Sequence, residues 1–265
     1  MTISPFFSGR RPYCTEYETL YAAMATKPTD FYNRIYDNLI IGLKADSLWS
    51  TFDVFYFLAA FSSGGALINW KNPGTFDLTA VSAPTFTQHR GFTYDGVDDA
   101  HDTNFRWETA PSPQSSLNNH QMAIWSRTTG QTSAGCFGAK QTSGGTTVAV
   151  VNPRNTGDNQ ATRCNDATSH TVTNTDGVGF YGVSRTASNV KRSFKNNAQV
   201  GTDQTTASTT GADESYYIGG VKLTGGSDFA AREIAFACCG SGLSVAQMSS
   251  LYTRINTALV AVGAA

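Results

Sequence analysis

Residues 180–195, FYGVSRTASNVKRSFK, decide how the chain is read. Two six-residue runs, 180–185 and 190–195, flank the polar pair Ser188-Asn189. Apolar and β-branched runs separated by turn-forming residues predict a β-hairpin. A second turn pair, Asn196-Asn197, follows at once.

The same pattern repeats outward. Short strands are predicted at 78–81, 85–87, 92–94, 122–127, 135–139, 146–151, 161–164, 215–218 and 230–238, with Asp95-Gly96 as a turn. Upstream, 47–51 reads as a turn of helix, 53–60 and 66–70 as strands, and Asn72-Pro73-Gly74 as a turn. Many short strands joined by Gly, Asn and Thr turns predict an antiparallel sandwich or barrel, not a parallel α/β sheet. Residues 199–213, QVGTDQTTASTTGAD, read as an exposed low-complexity loop.

Helices flank this region. Thr15-x-x-Glu18 has the form of a capping box. Tyr17, Leu20, Tyr21 and Met24 then fall on one helical face. Pro28 ends that helix, Thr29 or Asp30 caps the next, and Tyr32, Ile35, Tyr36, Leu39 and Leu43 continue the period. At the other end Ser244 caps a helix with Met248, Leu251, Tyr252, Ile255 and Leu259 on its apolar face, stopped by Gly263. The expected organisation is an N-terminal arm (1–14), a helical lead packed on the sandwich (15–46), and a sandwich ending in a helix (47–265). Trp70, Trp125, Phe180, Phe194, Phe229 and Phe236 are the expected large core residues, with Trp49 joining helices to sandwich.

The 265 residues carry 19 Lys+Arg against 20 Asp+Glu, a formal net charge of -1. That balance argues against a protein that grips nucleic acid through its phosphates. Charged residues are 15% of the chain, where about a quarter is usual. The polar surface is therefore built from hydroxyls and amides. No stretch approaches the roughly 18 consecutive apolar residues of a membrane span, so no membrane insertion is expected. The start, MTISPFFSGRRPYC, lacks the pattern of a signal peptide. Its Phe6, Phe7 and Tyr13, with Arg10, Arg11 and Cys14, form an arm too apolar for a plain solvated tail. It is expected to dock on the chain's own body or on a neighbour.

Candidate chemistry is sparse. No phosphate-cradling glycine motif occurs, and Gly240-Ser241-Gly242 lacks the spacing of a nucleophile elbow. His89, His101, His120 and His170 are scattered, and no Cys-x-x-Cys exists, so no zinc site is expected. Five cysteines, Cys14, Cys136, Cys164, Cys238 and Cys239, leave at least one thiol unpaired within the chain. Cys14 is the candidate for an intermolecular disulfide. Two carboxyls across a sugar cleft would be needed for glycoside hydrolysis, and Glu16, Glu18, Glu108, Glu214 and Glu233 show no such pattern. No catalytic residue and no obligate cofactor is expected. Asp95, Asp98, Asp99 and Asp102 form a dense acidic stretch that could offer oxygens to Ca²⁺, though without the EF-hand spacing. Solvated edge-strand charge is the simpler reading.

Four segments, 40–60, 66–105, 182–200 and 232–263, together resemble the LamG-like, concanavalin A-type jelly-roll structural proteins of tailed bacteriophages. The matching features are Phe86, Arg90, Gly91 and Gly96 entering the sheet, the hairpin from Arg185 to Asn197, and the run from Gly240 to Leu259. The resemblance implies a jelly-roll β-sandwich with an N-terminal helical pair and a C-terminal helix. It further implies a non-enzymatic virion protein, a capsid decoration or a tail or neck component, made in the host cytoplasm. Its partners would be other virion proteins and copies of itself. It brings no catalytic residues. The alternative is a lectin-like module that binds host-surface glycans, with Trp107, Tyr216 and Tyr217 as candidate platform rings.

Overall fold

The hairpin forms as expected in the computed structural model, which describes residues 11–141, 147–223 and 227–264. Two helices come first, α1 (Thr15–Ala23) and α2 (Asp30–Ala45), then a 3-10 turn at Trp49–Thr51. The strand β1 (Phe52–Tyr56) and the short helix α3 (Ser63–Leu67) follow. Next come β2 (Thr79–Val81), β3 (Thr85–Thr87), β4 (Gly91–Asp95), β5 (Ala100–Asp102), β6 (His120–Ser126) and β7 (Phe137–Lys140). They are followed by β8 (Thr147–Asn152), β9 (Asn159–Cys164), β10 (His170–Thr173), β11 (Gly179–Ala187), β12 (Val190–Lys195) and β13 (Ala198–Gln204). The chain closes with β14 (Tyr217–Ile218), β15 (Gly220–Lys222), β16 (Asp228–Phe229), β17 (Ala231–Gly240) and α4 (Val245–Val262).

Two sheets stack as a sandwich. The first runs β13-β12-β11-β6-β17-β4-β3, with β1 also on β17. There β4 takes the first half of β17 and β1 the second, with Ile234 opposite Phe92 and Cys238 opposite Phe55. The second runs β10-β9-β8-β7-β14-β5-β2, with β15 parallel to β7 and β16 on β15. The long strands β6, β11 and β17 lose the usual inward–outward alternation because both their faces are covered. One face meets the second sheet. The other meets α4, whose Tyr252 ring stacks on Trp125 at 5.9 Å and meets Phe180 edge-on at 6.1 Å. The α2 helix joins the same layer through Tyr36, 5.0 Å from Trp70, and through a two-pronged ion pair from Arg254 of α4 to Asp46, at 2.7 and 2.9 Å. One continuous apolar core spans helices and sandwich.

The α4 helix is capped by Ser244 and ends on Gly263 in the left-handed region, as expected, and Gln247 completes a capping box that the sequence reading did not include. Elsewhere the structure corrects the sequence reading. Residues 66–70 are not a strand. The Ser62 hydroxyl accepts the Gly65 amide and caps α3, and the Trp70 indole donates to the Gly65 carbonyl. The strand expected over 53–60 stops at Tyr56. The Thr15–Glu18 box does not form, since Cys14 is the N-cap and Thr15 already lies in the helix. The strands β5, β10, β13, β15 and β16 fall where none was expected, and β13 takes up the first part of the supposed 199–213 loop. Phe229 is half-buried on the short strand β16, outside the core, whereas Trp70, Trp125, Phe180, Phe194 and Phe236 are buried.

Candidate functional site

The acidic stretch divides. Asp95, Asp98 and Asp99 bring one carboxylate oxygen each within 4.8 Å of one another at the β4–β5 turn. Asp102 faces elsewhere, taking Lys222 Nζ at 2.8 Å and the Ser215 hydroxyl at 2.6 Å. Within the turn, Asp95 Oδ1 accepts the amides of Val97, Asp98 and Asp99 at 2.7, 3.3 and 3.4 Å. Those amides, Val97's foremost, hold the Asp95 carboxyl below the usual range. Asp99 Oδ1 accepts the Ala83 amide at 2.9 Å. Backbone donors thus hold the Asp95 and Asp99 carboxylates in the turn. The three carboxylate oxygens that converge, one from each residue, are half or less of the six to eight oxygens that Ca²⁺ takes.

The proposed platform rings are not free to stack on a sugar. Tyr216 is fully buried between Phe105 at 6.1 Å and His120 at 5.7 Å. Tyr217 is also buried, and Trp107 packs half-buried against the core with its indole nitrogen covered. Of the arm, Phe6, Phe7 and Arg10 lie outside the described residues. Arg11 Nη2 meets Asp37 at 2.6 Å, and the Cys14 amide donates to the same carboxylate at 2.8 Å. Tyr13 sits 5.1 Å from Tyr17 beneath the Arg34 guanidinium. All five cysteines are free thiols. Burial pushes the Cys14 thiol up to about 11, which keeps it protonated and slow to react.

What the sequence did not disclose is a polar chain through the core. Gln114 and Ser115 donate their amides to Asp53 at 2.5 and 2.9 Å, and the Ser115 hydroxyl lies 2.5 Å from Asp53 Oδ2. Ser115 Oγ is 3.0 Å from His120 Nδ1, and His120 Nε2 is 3.3 Å from the Tyr216 hydroxyl. An ionised carboxylate accepts only, so Ser115 donates to Asp53 and accepts from Nδ1–H. Nε2 is then left to accept from Tyr216, and one neutral tautomer of His120 satisfies the whole line. Burial, helped by the Arg185 charge, pushes the His120 imidazole down to about 3, consistent with that neutral form. The residue types are those of a Ser-His-Asp hydrolase, but the order is wrong. In a working triad the imidazole stands between acid and nucleophile. Here the hydroxyl stands between them, is buried, and spends its proton on Asp53.

The front of this chain opens into a pocket of about 250 Å³ at one end of the sandwich. Asp53 and Lys71 line it with Asn72, Thr75, Phe76 and Gln114, under the Pro/Ser-rich 105–114 connection. Lys71 Nζ donates to the Trp49 carbonyl at 2.8 Å and sits 5.3 Å from the Trp49 ring. Burial raises the Asp53 carboxyl above its ordinary value, against its hydrogen bonds and the Lys71 charge. Burial lowers Lys71. Opposite shifts toward the neutral forms mark a poorly hydrated site, and such groups in a cleft are a signature of function. Phe76 adds a second mark. Its φ is 60°, in the left-handed region that a bulky residue rarely enters. Strain of this kind collects at binding and catalytic sites.

No protein-family model matches the sequence, and no curated protein does. Solved structures do match. A mutant of Trypanosoma rangeli sialidase displaying trans-sialidase activity superposes over 85% of this chain with a TM-score of 0.58 and 10% identity. Trypanosoma rangeli sialidase in complex with sialic acid gives 83%, 0.56 and 10%. The binding domain of botulinum neurotoxin serotype D gives 78%, 0.52 and 11%. The likeness is one of fold. The chain spans 39% and 38% of the two sialidase chains and 52% of the neurotoxin chain.

Proposed function

We propose that this chain is a non-catalytic carbohydrate-recognition sandwich that holds a sugar in the pocket beneath the 105–114 connection. The observation that carries this reading is the pairing of a desolvated carboxylate, Asp53, and a desolvated ammonium, Lys71, in one small pocket. A sugar ring offers both hydroxyl donors for Asp53 and acceptors for Lys71, and its apolar face suits the Phe76 ring. Asn72, Thr75 and Gln114 add neutral polar groups. At about 250 Å³ the pocket falls just below the ~300–1,000 Å³ of drug-sized sites, which suits one ring better than an extended chain. Asp53 is the single carboxyl among its described lining residues, whereas hydrolysis of a glycosidic bond ordinarily uses two. Among the fold neighbours, one is named as a toxin's binding domain and another holds sialic acid.

A glycan array followed by titration calorimetry tests the reading, with wild type beside Lys71→Met and Phe76→Ala. Saturable binding that weakens at least ten-fold in both variants is expected. Silence across the array overturns the reading, as does undiminished binding by both variants.

A place in a phage particle is a second part of the proposal, supported by the resemblance of residues 66–105, 182–200 and 232–263. A sugar-binding component on a virion would recognise a host surface and would join fellow subunits through protein–protein contacts. Mass spectrometry of purified particles tests it, and absence of the chain from them overturns it.

A further inference from the structure

The two charged groups of the pocket beneath the 105–114 connection keep hydrogen-bonding places that the protein does not fill. A carboxylate offers about four lone-pair positions. Asp53 Oδ2 gives two of them to the Ser115 amide and hydroxyl, and Oδ1 gives one to the Gln114 amide, so one place stays open on Oδ1. An ammonium offers three N–H groups, and Lys71 spends one on the Trp49 carbonyl, so two stay open. Each group feels the other's charge, yet among the ion pairs of the described residues none joins them, so a gap separates the two. Much of the remaining wall is apolar. Phe52 and Phe105, each 1% exposed, form its buried side, Phe76 meets Phe105 edge-on at 5.3 Å, and Pro111 lines it from the connection.

We propose that the sugar taken by this pocket carries an acetamido group, seated between Asp53 and Lys71 with its methyl against Phe52, Phe105 and Pro111. This rests on the sugar-binding reading above and narrows it to one class of sugar. Charge comes first. A group placed between two opposite charges does best when neutral: a carboxylate would pair with Lys71 but face Asp53, and an amine would pair with Asp53 but face Lys71. The hydrogen-bond count then closes. The acetamido N–H donates to the open place on Asp53 Oδ1, and its carbonyl oxygen, with two lone pairs, accepts the two open N–H groups of Lys71. In a trans amide the N–H and C=O point in opposite directions, which suits partners on opposite sides of a gap. The methyl answers the apolar wall. A ring hydroxyl also makes both polar bonds, but it brings nothing to cover Phe105 and Pro111. One methyl-sized group in an apolar pocket is worth roughly ten- to two-hundred-fold in discrimination.

Titration calorimetry on the full wild-type chain tests this, with the methyl glycosides of N-acetylglucosamine and N-acetylgalactosamine beside those of glucose, galactose and glucosamine. The acetamido sugars are expected to bind at least about ten-fold tighter than the other three. Nuclear Overhauser contacts are expected from the acetyl methyl to the ring protons of Phe52 or Phe105. If glucose or galactose binds as tightly as its acetamido counterpart, the inference falls and the sugar-binding reading stands. If no glycoside binds, both fall. A bound acetamido sugar whose methyl shows contacts to neither ring also overturns the inference, because the group then sits elsewhere.

Discussion

Replacing Asp166 by Asn is expected to be among the most damaging single changes in this chain. Asp166, Arg185 and Lys191 are all buried, their side chains 0–1% exposed. The Asp166 carboxylate takes Arg185 Nη2 at 2.5 Å, Lys191 Nζ at 2.8 and 3.0 Å, and the Thr168 amide at 2.8 Å. The remaining donors go to carbonyls. Arg185 reaches Cys164, Ala187, Ser188 and Thr206, and Lys191 reaches Thr168 at 2.8 Å. Two cations therefore share one anion, and the carbonyl dipoles supply the rest of the compensation. Asn keeps the volume, so no cavity confuses the result, yet it leaves two buried charges without a counter-ion. Breaking a buried pair in this way costs about 3–5 kcal/mol. At about 2–4 °C per kcal/mol for a domain of this size, the melting temperature should fall by about 6–20 °C. Urea titration and thermal melts read by circular dichroism give the number. Burial already lowers Lys191, so the folded chain sheds that proton before the unfolded one does. With the carboxylate gone the shedding moves to lower pH, and the loss should be smaller at pH 10 than at pH 7. Adding Lys191→Met should recover about half of it. A loss under about 1 kcal/mol, or no recovery in the double variant, would refute the charge accounting.

Burial pushes His101 down to about 4 and His120 to about 3, so between those values and 6.5 the unfolded chain binds the protons and stability falls as pH drops. The shifts correspond to something on the order of 3–5 kcal/mol each, and NMR should find both rings neutral at pH 5; midpoints near 6.5 would contradict their burial. Gly91 has φ +117°, and a Cβ there would strike the Ile234 carbonyl, so Gly91→Ala should cost about 1–3 kcal/mol in a urea titration. Four thiols are buried and Cys14 is held protonated, so a disulfide reagent at pH 7 should find at most one reactive thiol in the native chain and five in denaturant. Two or more in the native chain would mean that the sandwich opens.

The hairpin and the last helix were legible because local chemistry and tertiary packing agree there. Ser188-Asn189 turns the chain between two runs that pair as Val183 with Ser193 and Arg185 with Lys191. Ser244 and Gly263 mark the ends of α4 in the sequence itself. Residues 66–70 misled because an apolar run does not distinguish a short buried helix from a buried strand. The deciding contact is the Ser62 hydroxyl on the Gly65 amide. The strand β13 was hidden for another reason. It is an edge strand, mostly exposed, held to β12 by backbone pairing and by Arg192 on Asp203, so it shows no apolar period. The site was the least legible part. Asp53, Ser115, His120 and Tyr216 come from β1, two loops and β6, and no spacing rule joins positions so far apart. The one visible hint was negative, the Pro/Ser-rich 105–114 connection, which drew attention to Trp107 rather than to the pocket beneath it.

Asp53 has two duties that pull in one direction. Toward the core it holds the amides of Gln114 and Ser115 and the Ser115 hydroxyl, which fastens the 105–114 connection to β1. Toward the pocket the same carboxylate faces Lys71 and the polar groups of the 71–76 turn. The turn is fixed in its own right. Asn69 Oδ1 accepts the Phe55 amide at 3.0 Å, its Nδ2 donates to the Thr75 carbonyl at 2.9 Å, and the Tyr56 hydroxyl donates to the Phe76 carbonyl at 2.6 Å. Both walls are thus tied to β1, which pairs with β17 of the first sheet. A pocket whose walls are already set loses little freedom when it closes on a ligand, and that is how a small site gains affinity. An active site would instead keep at least one reactive group unspent. Here the Ser115 proton, the His120 lone pair and three of the Asp53 acceptor positions are already taken up within the protein before any ligand arrives, which is the arrangement the proposed binding role calls for.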